Sequence, residues 1–195
     1  DEQDEELVEV EVLGEMRGTR IAKILVKPFR YNAARHMLRV YTTLDFEIVF
    51  DHADWQSTYE KQRRYASPAF GFLRGELANP SRAAIHERPL RYVIVADPMF
   101  KDSLQKFVDW KTRFGFEVVQ AYTDEPEVGK TASSIRAYLK KLYDEATSEA
   151  PAPSYVLFVG DLAQVPTQTY GKNDWSGSGK HYSDLYLCEY TGDHF

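Results

Sequence analysis

Tyr92-Val93-Ile94-Val95-Ala96-Asp97-Pro98 is the stretch that decides the fold. An unbroken apolar run closed by Asp-Pro describes a strand covered on both faces, as in a parallel sheet, rather than one with a wet side. Leu104, Phe107, Val108 and Phe114 then fall on one helical face, with Ser103 as the expected cap and Gly115 as the stop. Phe116 to Tyr122 reads as a second strand. Ile135, Tyr138, Leu139, Leu142 and Tyr143 recur at the spacing of an amphipathic helix, and Tyr155 to Asp161 reads as a third strand. The order β-α-β-α-β implies right-handed crossovers, an α/β fold with a parallel sheet, and any site at the carboxyl ends of its strands.

Working outward, a Gly/Ser/Lys-rich loop covers about 166–180, and Tyr182 to Tyr190 is predicted to be a fourth strand that ends in the turn Thr191-Gly192-Asp193-His194-Phe195. Three or four strands would leave an open apolar edge, so the sheet is expected to need a partner or the rest of its own chain. Upstream the texture differs. Leu7 to Leu13 alternates apolar and acidic residues, Ile21 to Lys27 repeats the alternation until Pro28, and Met37 to Phe50 alternates again with a bulge expected at Thr42-Thr43. These runs predict an antiparallel, half-buried sheet. Residues 51–88 lose the period and collect Pro, Gly, Arg and aromatics such as Trp55, Tyr65 and Phe72, which predicts an extended connector with one short helix that packs on something.

The 195 residues are 43% hydrophobic and 14% aromatic, enough to bury a core and too many for a disordered chain. A net charge of −6 supplies no basic excess for phosphate contacts, which excludes a constitutive nucleic-acid binder. The single cysteine, Cys188, excludes an internal disulfide and a Cys-rich zinc site. No apolar run approaches the roughly 18 to 20 residues of a membrane helix. The acidic start, Asp1 to Glu6, is unlike a signal peptide and lacks an initiator Met, so the sequence is expected to begin inside a longer precursor.

Several residues invite chemistry. Gly129-Lys130-Thr131 has the tail of a phosphate-binding loop, but Asp124 stands where the first glycine belongs, so a turn into a capped helix is expected instead. Asp97 could be the phosphoacceptor of a receiver-like domain, yet one Asp beside a proline fits a helix cap better. Cys188 could be a nucleophile beside His181 or His194, but its apolar neighbours Leu185, Tyr186 and Leu187 read as a buried strand in which a thiol is a small hydrophobe. Asp161, Asp184 and Asp193 form a third group: Asp161 and Asp193 each close a predicted strand, and carboxylates with turn carbonyls suit a hard cation such as Ca²⁺.

Tyr122 to Thr131, the Val159-Gly160-Asp161 strand end, Phe107-Val108-Asp109-Trp110-Lys111, and Ser183-Asp184-Leu185-Tyr186 through Gly192-Asp193-His194-Phe195 together resemble the gingipain family of cysteine peptidases, closest to its lysine-specific branch. The resemblance covers residues 91–195, and residues 5–50 look like the β-rich end of the family's N-terminal prodomain. It implies a caspase-like α/β fold in a secreted or cell-surface bacterial endopeptidase made as a zymogen. The chain then divides into a β-rich prodomain segment with connector, residues 1–88, and the first half of a catalytic domain, residues 89–195. In this family the catalytic His and Cys lie in the second half of the catalytic domain, so the resemblance implies that this chain carries no catalytic residue, that Cys188 is not the nucleophile, and that the fragment is inert alone.

The resemblance also implies a structural Ca²⁺ at Asp161, Asp193 and the Phe195 carbonyl, with Thr191 replacing one acidic ligand and a Glu expected two residues past Phe195. It points to Arg82, Arg88 or Arg91 as prodomain cleavage points. The implied partners are the remaining half of the catalytic domain, in the same or a nicked chain, and peptide or protein substrates; no nucleic acid and no membrane span are expected. The rival expectation is a non-catalytic secreted surface or export protein that keeps the gingipain-like fold without the dyad.

Overall fold

The computed structural model describes residues 6–65, 67–79, 89–170 and 181–190. The chain divides into two compact units, one ending at Gln62 and the other starting at Arg63.

The first unit is built from hairpins. β1 (Val8–Met16) and β2 (Thr19–Val26) pair antiparallel, with Val8 opposite Val26 and Val10 opposite Ile24. Their connection, Arg17-Gly18, holds both residues at positive φ, 49° and 74°, the geometry whose twist matches a two-residue hairpin. Only glycine serves at the second position, because a Cβ on Gly18 would lie 2.8 Å from the Lys61 carbonyl oxygen. The ladder slips between Val12 and Gly14, so the bulge sits at Leu13.

β3 (Phe29–Asn32) and β4 (Met37–Val40) form a second, shorter hairpin. Two expectations are corrected here. The long third strand ends at Val40, and residues 41–50 join no ladder among the described residues, since alternation alone does not form a strand without a partner to take its backbone hydrogen bonds. The half-buried sheet is instead two separate hairpins whose apolar residues, Val12, Phe29, Tyr31 and Val40 among them, are exposed.

The connector is more helical than expected. α1 (Trp55–Tyr65) starts where the Asp54 carboxylate accepts the Ser57 N–H at 2.9 Å, and a 3-10 turn at Pro68–Phe70 leads into the short α2 (Gly71–Gly75). Of its aromatics, Tyr65 packs against Tyr143 with ring centroids 5.0 Å apart, whereas Trp55 and Phe72 are exposed.

The second unit carries the predicted α/β core. β5 (Leu90–Ala96), α3 (Lys101–Arg113), β6 (Phe116–Tyr122), α4 (Ala132–Asp144) and β7 (Tyr155–Val159) follow in order. The sheet runs β6-β5-β7 and all three strands are parallel. Central β5 explains the unbroken apolar run. Val93 and Val95 point into one buried cluster with Ile135 and Leu139 of α4, while Ile94 and Ala96 point into another with Val108 of α3. Each such Val or Ile removed from water contributes about 1.5–3 kcal/mol before entropy is counted.

The caps differ in one detail. Asp97 accepts the Met99 N–H at 2.9 Å and opens a 3-10 turn at Pro98–Phe100, from which α3 continues at Lys101; Ser103 lies within the first turn of α3 and caps nothing. At the other end Gly115 takes φ 88° directly after Phe114, as the stop requires. Arg91 lies inside β5, where its guanidinium holds Glu117 Oε1 on β6 at 2.8 Å and its carbonyl accepts the Ser154 N–H. A peptide bond clamped in this way is not presented to a peptidase, which argues against Arg91 as the cleavage point. Arg82 and Arg88 lie outside the described residues.

Candidate functional site

The carboxyl ends of the parallel strands are where an open α/β sheet leaves room for a ligand. β7 leaves the sheet through Gly160 at φ 140°, and a Cβ there would lie 2.6 Å from Gln164 Cβ. Glycine therefore lets the next loop fold back against the strand end. Asp161 organises that loop: its carboxylate accepts the Leu162 N–H at 2.7 Å, its N–H donates to Gln164 Oε1 at 2.9 Å, and its carbonyl accepts the Gln164 and Val165 N–H groups. Val165 is thereby pinned into the core.

The opposite wall comes from the segment expected to be a fourth strand. β8 (Gln168–Tyr170) pairs antiparallel with β9 (His181–Ser183), after which the chain turns at Asp184 into a single helical turn, α5 (Leu185–Cys188). Strand alternation would put Leu185 and Leu187 on one face, yet Leu185 is 47% exposed and Leu187 fully buried against α4, so the apolar spacing belongs to a helical turn. Thr167 donates its hydroxyl to the Ser183 carbonyl at 2.5 Å, tying the two walls together.

Between them lies a recess of about 320 Å³, lined by Phe158, Gly160, Asp161, Leu162, Val165 and Thr167 from the end of β7 and its loop, and by Tyr182, Ser183 and Asp184. The structure thus brings Asp161 and Asp184 to one recess, both exposed. Asp184 stands at the N-cap of α5 but makes no side-chain cap bond, which leaves its carboxylate available. Two carboxylates on one polar recess favour a cationic guest.

Of the residues expected to hold calcium, only Asp161 lies among the described residues. Asp161 offers a carboxylate with one oxygen engaged by a backbone N–H, while Asp193 and Phe195 lie outside the described residues. Among the described residues no group of three or more His, Cys, Asp or Glu side chains is placed to hold a metal. His194 lies outside the described residues as well, and of His181 only the backbone, in β9, is described.

The other candidates resolve into structure. Thr131 caps α4 by a reciprocal box: its hydroxyl accepts the Ser134 N–H at 3.1 Å while Ser134 Oγ accepts the Thr131 N–H at 3.1 Å. Gly129 precedes it at φ 72°, and the loop is the capped turn expected rather than a phosphate cradle. Cys188 closes α5 and reaches solvent, contrary to the buried strand position expected. Partial burial of its sulfur and, secondarily, the Asp184 carboxylate push the thiol pKa above its ordinary value. That disfavours the thiolate a nucleophile needs.

One residue of this region gave no sign in the sequence. Arg136, on α4, donates from Nε to the Tyr186 carbonyl at 3.0 Å and from Nη2 to the Glu189 carbonyl at 2.8 Å, with its guanidinium 5.0 Å from the Tyr186 ring centroid. An arginine on the polar side of an amphipathic helix reads as solvated, and nothing local says that a loop fifty residues downstream will lie across it.

The family model for peptidase family C25 matches residues 85–195. Lys-gingipain of Porphyromonas gingivalis is 33% identical over 195 residues, covering 98% of this chain and 11% of that protein, and Lys-gingipain 381 of the same organism matches equally. The chain therefore spans about a tenth of the length of these relatives, 11%. A solved structure described as "Structure of Protease" is 34% identical, covers 55% of this chain and 22% of its own, and superimposes with a TM-score of 0.47.

Proposed function

The chain belongs to peptidase family C25, and we propose that it is the junction of a cysteine endopeptidase zymogen: a β-rich prodomain segment, residues 1–88, followed by the first half of a caspase-like catalytic domain, residues 89–195. The observation that carries this reading is that the family match on residues 85–195 takes in the entire parallel sheet and the acidic recess at its carboxyl edge. In the parent protein the nucleophilic Cys and the general-base His come from chain beyond Phe195. The His takes the thiol proton, the thiolate adds to the scissile carbonyl, and backbone N–H groups stabilise the oxyanion; the His then protonates the leaving amine and water hydrolyses the thioester. The parent is secreted or cell-surface, and its partners are peptide or protein substrates and the remaining half of its own catalytic domain.

Within that reading Asp161, Asp193 and the Phe195 carbonyl hold a structural Ca²⁺, hard oxygen donors for a hard cation. The exposed Asp161 carboxylate at the strand end supports this. Calcium is expected to raise the melting temperature of the full-length protein, and Asp161→Asn to abolish that rise.

The function is tested on the full-length protein by hydrolysis of a panel of fluorogenic peptide amides. Hydrolysis that requires a reduced thiol and is blocked by iodoacetamide is expected. A folded, thiol-intact parent that cleaves none of them overturns the reading in favour of a non-catalytic surface or export protein.

A further inference from the structure

α5 is a single helical turn, too short to hold itself, since helix nucleation is unfavourable. Two of its described contacts help to fix it. Leu187 is fully buried in the cluster formed with Ile135 and Leu139 of α4. Arg136 of α4 takes the carbonyls at the other end: Nε reaches Tyr186 at 3.0 Å and Glu189 at 3.1 Å, Nη2 reaches Glu189 at 2.8 Å, and the guanidinium lies over the Tyr186 ring. A planar fork that binds two carbonyls and stacks on an aromatic ring fixes orientation as well as position. The N-terminal end of the same turn is Asp184, which with Tyr182 and Ser183 forms one wall of the recess. The Leu187 N–H donates to the Asp184 carbonyl at 3.0 Å, so a shift at the carbonyls held by Arg136 is passed along one turn to the wall.

We propose that Arg136 is a positioning residue for the recess: it orients α5 so that the wall Tyr182-Ser183-Asp184 keeps the shape that receives the substrate chain. The inference rests on the reading of the parent as a peptidase that uses this carboxyl edge. Leu187 supplies the depth of α5, and Arg136 supplies its angle. Lysine could reach one carbonyl but could neither bind in a fork nor stack as a plane, so it replaces Arg136 only in part.

The test uses the full-length parent and its best-cleaved peptide amide, with active sites counted by a tight irreversible thiol reagent. Arg136→Ala is expected to raise KM about tenfold, below the hundredfold that an ångström of misplacement can cost, with kcat per titrated site little changed. Arg136→Lys should fall between Ala and wild type. If Arg136→Ala leaves too little folded protein, Arg136→Lys carries the test, with a KM rise of a few-fold expected. Unchanged KM in either variant, or losses that vanish once rates are divided by titrated sites, would overturn the proposal by leaving Arg136 a purely structural role. An inactive wild type sinks the peptidase reading instead, and the two failures are thereby distinct.

Discussion

Gly129→Ala tests the way the second unit is assembled, because this position separates a capped turn from a phosphate-binding loop. At φ 72° the backbone is left-handed, which costs a non-glycine residue about 1–2 kcal/mol. The new Cβ would lie 2.5 Å from Ser134 Oγ and 2.8 Å from Ser134 Cβ, so Ser134 must move. Ser134 is one half of the capping box on α4, and losing such a cap costs about 1 kcal/mol. The sum is about 2–3 kcal/mol, a large share of the roughly 5–15 kcal/mol that holds a domain together. Urea denaturation of the chain, followed by far-ultraviolet circular dichroism, reads this as a lower midpoint at unchanged slope. Ser134→Ala alone should cost about 1 kcal/mol, and the double variant should cost less than the two single losses added, because the first substitution has already displaced the group that the second removes. A Gly129→Ala chain as stable as wild type, or a strictly additive double variant, would refute the reasoning.

Three further outcomes are expected. The rate of alkylation of Cys188 should climb through a pKa above the ordinary thiol value, and Asp184→Asn should move that midpoint down; because the folded state holds the thiol proton more tightly, the associated stability is present below the ordinary thiol pKa and is lost as pH rises through the folded value. Leu187→Ala should destabilise the second unit by about 2–5 kcal/mol in the same urea experiment, since it empties a fully buried site between α4 and the core. Limited digestion by an arginine-specific peptidase should yield no fragment beginning at Tyr92 until the unit unfolds, because Arg91 is held by Glu117, by the β6 ladder and by the Ser154 N–H, and Tyr92 lies in the ladders on both sides; early appearance of that fragment would contradict the clamped geometry.

What could be read from the residues depended on how local the cause was. The β5 run and the spacing on α3 and α4 are consequences of two-sided burial and of one-sided burial, and both leave a period in the sequence, so the three parallel strands and their two helices fall where the pattern places them. Leu185 to Cys188 failed that test because alternation over four residues is also compatible with one helical turn; burial of Leu187 against α4 decided between them, and that contact is tertiary. The alternation from Phe46 to Phe50 misled for a related reason, being a property of side chains when a strand is made by backbone partners. Asp161 and Asp184 were legible as candidates by residue type, but their sharing of one recess is set by the β8–β9 pairing and by Thr167, neither of which has a sequence signature. Arg136 was invisible because its partners are carbonyls, which every residue carries.

The two units differ most in how their apolar residues are spent, and this difference predicts where the chain opens first. Val93, Val95 and Ala96 of β5 are fully buried, flanked by a strand on each side and a helix layer on each face, so their amides exchange only when the unit unfolds. Val10 and Val12 of β1 are 57% and 62% exposed, in a two-stranded ladder of the kind that is marginal by itself in water. Opening that hairpin exposes little additional surface, so its free energy of opening should lie near the low end of the range from about zero to the global value. A gap of about 3 kcal/mol or more between the units makes exchange in β1 and β2 at least about a hundredfold faster than in β5. Hydrogen exchange followed by mass spectrometry on this chain measures both in one experiment. Equal protection of Val10 and Val93 would mean that the β1–β2 hairpin is held by contacts that the exposure of its valines does not reveal, and a first unit that opens independently of the second would be refuted.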